Sequence, residues 1–109
     1  MVFKESDFTE QAREAIATSQ NLLREYRHSQ WDVEHVLLAL LQLPQGLPAR
    51  ILSQAHVDPD LLADRVETAL RQSPRLGVVA QTIYATPRLQ QVLDNARAEA
   101  ERLRDKFIS

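Results

Sequence analysis

The side chains that could carry chemistry in this sequence are its histidines and carboxylates. His28, His35 and His56 are not separated by three or four residues, the spacings that place two ligands on one helix face, so the sequence predicts no metal site. Glu34 and His35 are adjacent but do not form the His-Glu-x-x-His pattern of zinc proteases. Neither a Gly-x-Ser-x-Gly turn nor a phosphate-binding Gly-x-x-x-x-Gly-Lys loop is present. The residues therefore predict a chain that is not an enzyme and has no cofactor of its own.

An apolar run over residues 33–41 is predicted to be the helix around which the others pack. Asp32 is a suitable N-cap, and Glu34 lies in the first turn, where a negative charge complements the helix dipole. Apolar residues fall on nearly every side, which is typical of a buried helix, and the helix is expected to end near Leu43. Glu34 can also present its charge outward, whereas His35 is predicted to make a structural hydrogen bond.

The composition narrows the class of protein further. The chain has 109 residues, enough for one domain, and its 2 glycines and 44% hydrophobic residues favour an all-α fold. A net charge of −2 argues against nucleic acid as a partner, and no apolar run reaches the roughly 20 residues that span a bilayer. The absence of cysteine and of an apolar leader at the start is typical of a cytoplasmic protein.

The first and last helices are predicted to be amphipathic. The first begins after Thr9 as N-cap, and the last begins at the cap-and-proline pair Thr86-Pro87 and ends in a turn at 104–106. Both carry apolar or small residues at steps of three and four. In the first helix these are Phe8, Ala12, Ala15, Ile16, Ser19, Leu22, Leu23 and Tyr26, and in the last they are Leu89, Val92, Leu93, Ala96, Ala100 and Leu103.

Two further helices lie between these. A short one is predicted at about 49–55, with Ile51 and Leu52 facing inward. The next begins at Asp58-Pro59, an aspartate cap followed by proline at the first helical position, and stops before Ser73. Its buried side is predicted to consist of Leu61, Leu62, Val66, Ala69 and Leu70.

Residues 72–85 are predicted to form a loop. Its apolar Val78 and Val79 suggest that part of the loop lies against the body of the domain. Extended segments of unfolded chains bind in shallow apolar grooves with flexible neighbours. Val78, Val79 and Tyr84 are therefore candidates to line such a groove, although core packing is the simpler role for most apolar residues in this chain.

The last helix aligns with the first as an internal repeat. Ala12 meets Leu89, Ile16 meets Leu93, Tyr26 meets Leu103, Trp31 meets Ile108 and Asp32 meets Ser109. This pattern predicts a first four-helix repeat over about 8–72, a linker over 73–85 and a partial second repeat over 86–109. A second central helix would follow, so we expect a fragment or an unusually short relative. Apolar residues that would then lack part of their cover, and could mediate self-association, are Leu89, Val92, Leu93, Leu103, Phe107 and Ile108.

Four stretches resemble the N-terminal domain of the ClpB- and ClpC-type AAA+ unfoldases. They are Phe8-Thr9-Glu10-Gln11-Ala12, the run from Asp32 through Glu34-His35 to Leu41, and Gln81 to Arg88 together with the end Asp105 to Ser109. The resemblance implies a helical bundle built from repeats, which docks unfolded or aggregated clients and adaptor proteins in protein quality control. It also implies that ATP and the ATPase modules of the hexamer belong to the parent protein outside this chain.

The resemblance also points to particular residues. Thr9, Glu34 and Asp105 match family positions that matter for substrate handling, while Thr9 and Asp105 could equally serve as caps or braces of turns. In ClpC-type relatives the matching glutamate takes part in recognising phosphorylated arginine, because a carboxylate can hold a guanidinium with two parallel hydrogen bonds. The alternative function is a stand-alone helical interaction module that dimerises through its incomplete second repeat.

Overall fold

The computed structural model describes residues 10–43 and 46–108, with side chains described as far as Arg102. The predicted all-α class is confirmed, since five helices and two strands of two residues each make up the regular structure of this part of the chain. In chain order they are α1 (Glu10–Glu25), β1 (Gln30–Trp31), α2 (Val33–Leu41), α3 (Leu47–Gln54), α4 (Pro59–Gln72), β2 (Tyr84–Ala85) and α5 (Pro87–Ile108). None of the described helices is long and apolar enough to cross a membrane.

The start of α2 is fixed by a reciprocal capping interaction. The Asp32 carboxylate accepts a hydrogen bond from the Val33 amide at 2.7 Å, and the Asp32 amide donates to Nδ1 of His35 at 3.0 Å. Amides that the helix itself cannot pair are thereby satisfied. The predicted cap and the predicted structural hydrogen bond of His35 are both confirmed, and α2 ends at Leu41, two residues before the expected position.

Helix α2 lies between two apolar clusters and contacts α1, α3, α4 and α5. The first cluster, which Val33 and Val36 of α2 contact, consists of Ile16, Leu23, Trp31, Leu89 and Leu93. The second consists of Leu22, Leu38, Ala39, Val66 and Leu70. The central position of α2 is therefore confirmed, although only His35, Leu38 and Ala39 of its residues are fully buried.

Helix α5 differs from the prediction in two ways. Leu89 and Leu93 are 0% and 5% exposed within the first cluster, so the expectation that they lack cover is wrong, whereas Val92 is 43% exposed. The predicted turn at 104–106 is also wrong, because the helix continues to Ile108. No proline or glycine interrupts this stretch, and a polar run alone does not end a helix. The side chains of Leu103, Phe107 and Ile108 lie outside the described part of the chain.

Helices α3 and α4 bury a narrower face than predicted. Ile51 and Leu61 are 55% and 51% exposed and Ala69 is exposed, so their predicted inward positions are wrong. Val66 and Leu70 are buried as predicted. Helix α3 contributes no buried residue and α4 contributes only Val66 and Leu70, so the remaining apolar residues of both helices stay partly in contact with solvent.

The sequence predicts a loop over 72–85, and the structure places β2 within the connecting segment between α4 and α5, residues 73–86. This strand pairs in parallel with β1, Gln30 opposite Tyr84 and Trp31 opposite Ala85. A pairing of two residues is too short to leave an alternating pattern in the sequence. Part of this segment lies against the body as predicted, because β2 pairs with β1 and both Ile83 and Ala85 pack on the first cluster. The two valines that suggested it do not, since Val78 and Val79 are 74% and 50% exposed.

Candidate functional site

The first turns of α2 and α5 meet at a cluster of charged side chains. Arg88 in α5 donates from Nη2 to Asp32 Oδ2 at 2.9 Å and to both carboxylate oxygens of Glu34 at 2.9 and 3.1 Å. The Thr86 hydroxyl donates to Asp32 Oδ1 at 2.8 Å and accepts from the Leu89 amide at 3.2 Å, which confirms the predicted start of α5. The caps of two helices are therefore joined by hydrogen bonds. We call Asp32, Glu34, Thr86 and Arg88 the charged junction.

The electrostatics of the charged junction favour its ionised form. Partial burial opposes ionisation of Asp32, but hydrogen bonds from Arg88, the Val33 amide and the Thr86 hydroxyl lower the pKa of this carboxyl. Hydrogen bonds to Asp32 and then to Glu34 raise the pKa of Arg88. The side chains are 25% exposed for Asp32, 35% for Glu34 and 64% for Arg88. Because water and salt screen such exposed pairs, the junction orients side chains more than it stabilises the fold.

A cleft of about 510 Å³ opens beside the charged junction. Its walls combine buried histidine rings, the turn before α2, the end of α4 and the charged rim. The lining residues are His28, Ser29, Gln30, Asp32, Glu34, His35, Ala69, Leu70, Ser73, Pro74 and Arg88. A cleft of this size and mixed polarity can accept a small ligand or a few side chains of a peptide.

The connecting segment is held beside this cleft by backbone hydrogen bonds. The Leu76 amide donates to the Arg27 carbonyl at 2.8 Å, and the Tyr84 amide donates to the Ser29 carbonyl at 3.3 Å. The Thr86 amide donates to the Trp31 carbonyl at 2.9 Å. The turn before α2 therefore anchors both ends of the stretch 76–86.

The predicted site residues do not converge on one place. Glu34 lies at the rim of the cleft, where its carboxylate already holds the guanidinium of Arg88. Val78, Val79 and Tyr84 are exposed on the connecting segment and do not line the cleft. Thr9 lies outside the described residues, and Asp105 belongs to α5 with its side chain outside the described part.

The sequence did not indicate Arg88 as the partner of the two carboxylates, nor the burial of His28. The pairing of β1 with β2 contributes to placing Thr86 beside Asp32, and that pairing leaves no local signal in the sequence. Among the described residues no group of three or more His, Cys, Asp or Glu side chains could hold a metal ion.

The helical bundle, capped at α2 by an Asp-x-Glu-His start, defines a class of protein. The family model of the Clp repeat (R) N-terminal domain matches residues 7–109, and the chain belongs to this family. The chain is 42% identical over 102 residues to the chaperone protein ClpB 1 of a Synechocystis species, a match that covers 94% of the chain and 11% of that protein. It is 36% identical over 107 residues to the chaperone protein ClpB of Bacillus cereus, covering 95% of the chain and 12% of that protein. The chain thus spans about a tenth of the length of these relatives and corresponds to the N-terminal domain of a Clp-type chaperone.

Proposed function

We propose that this domain docks unfolded or aggregated client proteins and adaptors and delivers them to the ATPase modules of a Clp-type unfoldase, without catalysing a reaction itself. Membership of the Clp repeat N-terminal family and the similarity to ClpB chaperones support this proposal. Docking of this kind is expected to be weak, because a client must be released again to the motor.

The observation that carries the proposal is the apolar surface of the connecting segment. Leu76, Val78, Val79 and Tyr84 are 39%, 74%, 50% and 66% exposed, although hydrogen bonds anchor the backbone on both sides of Val78 and Val79. Several exposed apolar residues on one segment make that segment a candidate interaction surface. Anchored backbone lowers the entropy cost of binding, since the surface is partly ordered beforehand. These four residues are called the apolar strip below.

The experiment compares two pairs of exposed apolar residues. Val78→Ser with Val79→Ser should raise the dissociation constant for a fluorescent, reduced and carboxymethylated α-lactalbumin at least about tenfold, measured by anisotropy, because about 1.4 kcal/mol of apolar burial is lost. Leu47→Ser with Ile51→Ser is the matched control, since both residues are 55% exposed on α3. Both double variants should fold normally. Equal binding by the Val78/Val79 variant and the wild type would remove the apolar strip from the proposal.

Glu34 is proposed to contribute to docking from the rim of the cleft, by attracting basic groups of a client in competition with Arg88. Glu34→Ala should change the free energy of unfolding by less than about 0.5 kcal/mol, because Arg88 keeps its contact with Asp32. Client binding in the same assay should weaken about threefold at low salt.

Glu67→Ala is the matched control for Glu34→Ala. It removes the same charge from α4, where Glu67 pairs with Arg71 at 3.2 Å, away from the cleft lining. If the two variants weaken binding equally, only net charge matters and Glu34 is not part of the site.

The alternative function, a stand-alone module that dimerises through its last helix, has less support. Two of the residues predicted to mediate dimerisation, Leu89 and Leu93, are buried in the core of the domain itself. Val92 is the described member of that set that is exposed. Self-association stays a prediction, which light scattering over a range of protein concentrations would test.

A further inference from the structure

We propose that His28 and His35 form a proton-sensitive switch. While both rings are neutral, the cleft and the start of α2 keep their packing, and protonation of either ring loosens both. The two rings line the cleft between the turn after α1, the start of α2 and the end of α4. This inference does not depend on the proposed docking function, because it concerns the conformation of the cleft rather than its occupant.

The hydrogen bonds of the pair are compatible with one arrangement of protons. Nδ1 of His35 accepts from the Asp32 amide at 3.0 Å, so neutral His35 carries its proton on Nε2. That Nε2 lies 2.9 Å from Nδ1 of His28, which must therefore accept. His28 then carries its own proton on Nε2. We assign both rings the Nε2-protonated tautomer on this basis.

An added proton on either ring would face another hydrogen-bond donor. On His35 it would put an N–H against the Asp32 amide and break the reciprocal cap of α2. On His28 it would put an N–H against the Nε2–H of His35 at 2.9 Å. His28 and His35 are only 5% and 2% exposed, so water cannot readily take over either contact. Each protonation therefore replaces a hydrogen bond with an encounter of two donors and also buries a charge.

The surrounding charges do not offset this penalty. Burial is the main cause that lowers the pKa of His28, with a further contribution from Arg75, whereas the Leu70 carbonyl opposes it. Within the described part of the chain, Nε2 of His28 nevertheless makes no hydrogen bond of normal geometry. Burial and then His28 lower the pKa of His35, against the backbone of Asp32 and the charges of Asp32 and Glu34. Those two carboxylates are already paired with Arg88. The ring of Tyr26 stacks on His28 with centroids 5.8 Å apart.

The direction of the pH effect follows from these shifts. Both folded-state pKa values lie below the unfolded value of about 6.5, so the unfolded chain binds more protons than the folded chain as the pH falls below about 6.5. The free energy of unfolding is therefore at its full value, as far as these two histidines determine it, above this pH, and it decreases on acidification. Asp32 does not contribute in this range, because its pKa is lowered and it stays ionised.

The test combines NMR titration of the imidazole groups with melting curves. In the wild-type domain both rings should show the Nε2-protonated tautomer near neutral pH and titrate below about 6.5, and the melting temperature should fall by at least about 5 °C between about pH 7.5 and about pH 5. His56→Asn should behave like the wild type, since His56 is exposed. His28→Gln with His35→Gln should show a smaller fall. Titration of both rings at or above about 6.5, another tautomer, or a melting temperature independent of pH would overturn the proposal. Because the ring titrations use the wild-type domain, the proposal can be tested even if the double variant fails to fold.

Discussion

Trp31→Ala is expected to lower the free energy of unfolding by about 3–5 kcal/mol, the largest effect we expect from a single substitution. The Trp31 ring is buried in the first cluster against α1 and α5, and its Nε1 donates to the buried Ser19 hydroxyl at 2.9 Å. Its removal leaves a cavity and takes a hydrogen bond from a hydroxyl that water does not reach. Urea denaturation followed by circular dichroism would measure the loss, since Trp31 is the only tryptophan and fluorescence is lost with it.

Tyr84→Ala is the control for this prediction. It removes another large aromatic ring from the residue next to the bridge partner of Trp31, but Tyr84 is 66% exposed. We expect a change of less than about 0.5 kcal/mol. A loss below about 1 kcal/mol for Trp31→Ala would show that the first cluster does not hold α5 to the bundle.

Leu38→Ala is expected to cost about 2–5 kcal/mol. Leu38 is 1% exposed on α2 and joins α1 to α4 through the second cluster, which also contains Leu22 and Val66. A small protein of this size has few alternative contacts with which to refill the cavity. Chemical denaturation of the variant would measure the cost.

Leu47→Ala serves as the comparison, because Leu47 is 55% exposed on α3. The same substitution there should change stability by less than about 0.5 kcal/mol. Similar values at Leu38 and Leu47 would contradict the assignment of α2 as the central helix.

The features that sequence alone predicted are those decided by local chemistry. Helix starts are marked by the aspartate caps at Asp32 and Asp58 and by the threonine cap at Thr86. Each of these side chains accepts a hydrogen bond from a backbone amide one to three residues later in the chain. The apolar residues of α1 recur at the helical period, and those of α2 lie on nearly every side of the helix. The sequence therefore predicts the core where these two helices pack. These signals need no knowledge of the rest of the chain.

The features that were missed depend on contacts between distant residues. The burial of Leu89, the exposure of Ile51 and the partnership of Arg88 with Glu34 are set by how α3 and α5 dock on the bundle. An amphipathic helix shows which side is apolar but not how much of that side a neighbour covers. Of the residues that line the cleft, the sequence therefore predicted only Glu34 as a site residue, because the histidine wall depends on how distant parts of the chain pack together.

Docking of unfolded clients on the apolar strip can be observed by NMR. The experiment titrates an isotope-labelled domain with reduced, carboxymethylated α-lactalbumin and follows the backbone amide signals. We expect the largest shifts on residues 76–84 and on the adjoining turn at 27–31. Shifts confined to the exposed apolar residues of α3 and the start of α4, or no shifts at a client concentration that saturates binding in solution, would contradict docking on the apolar strip.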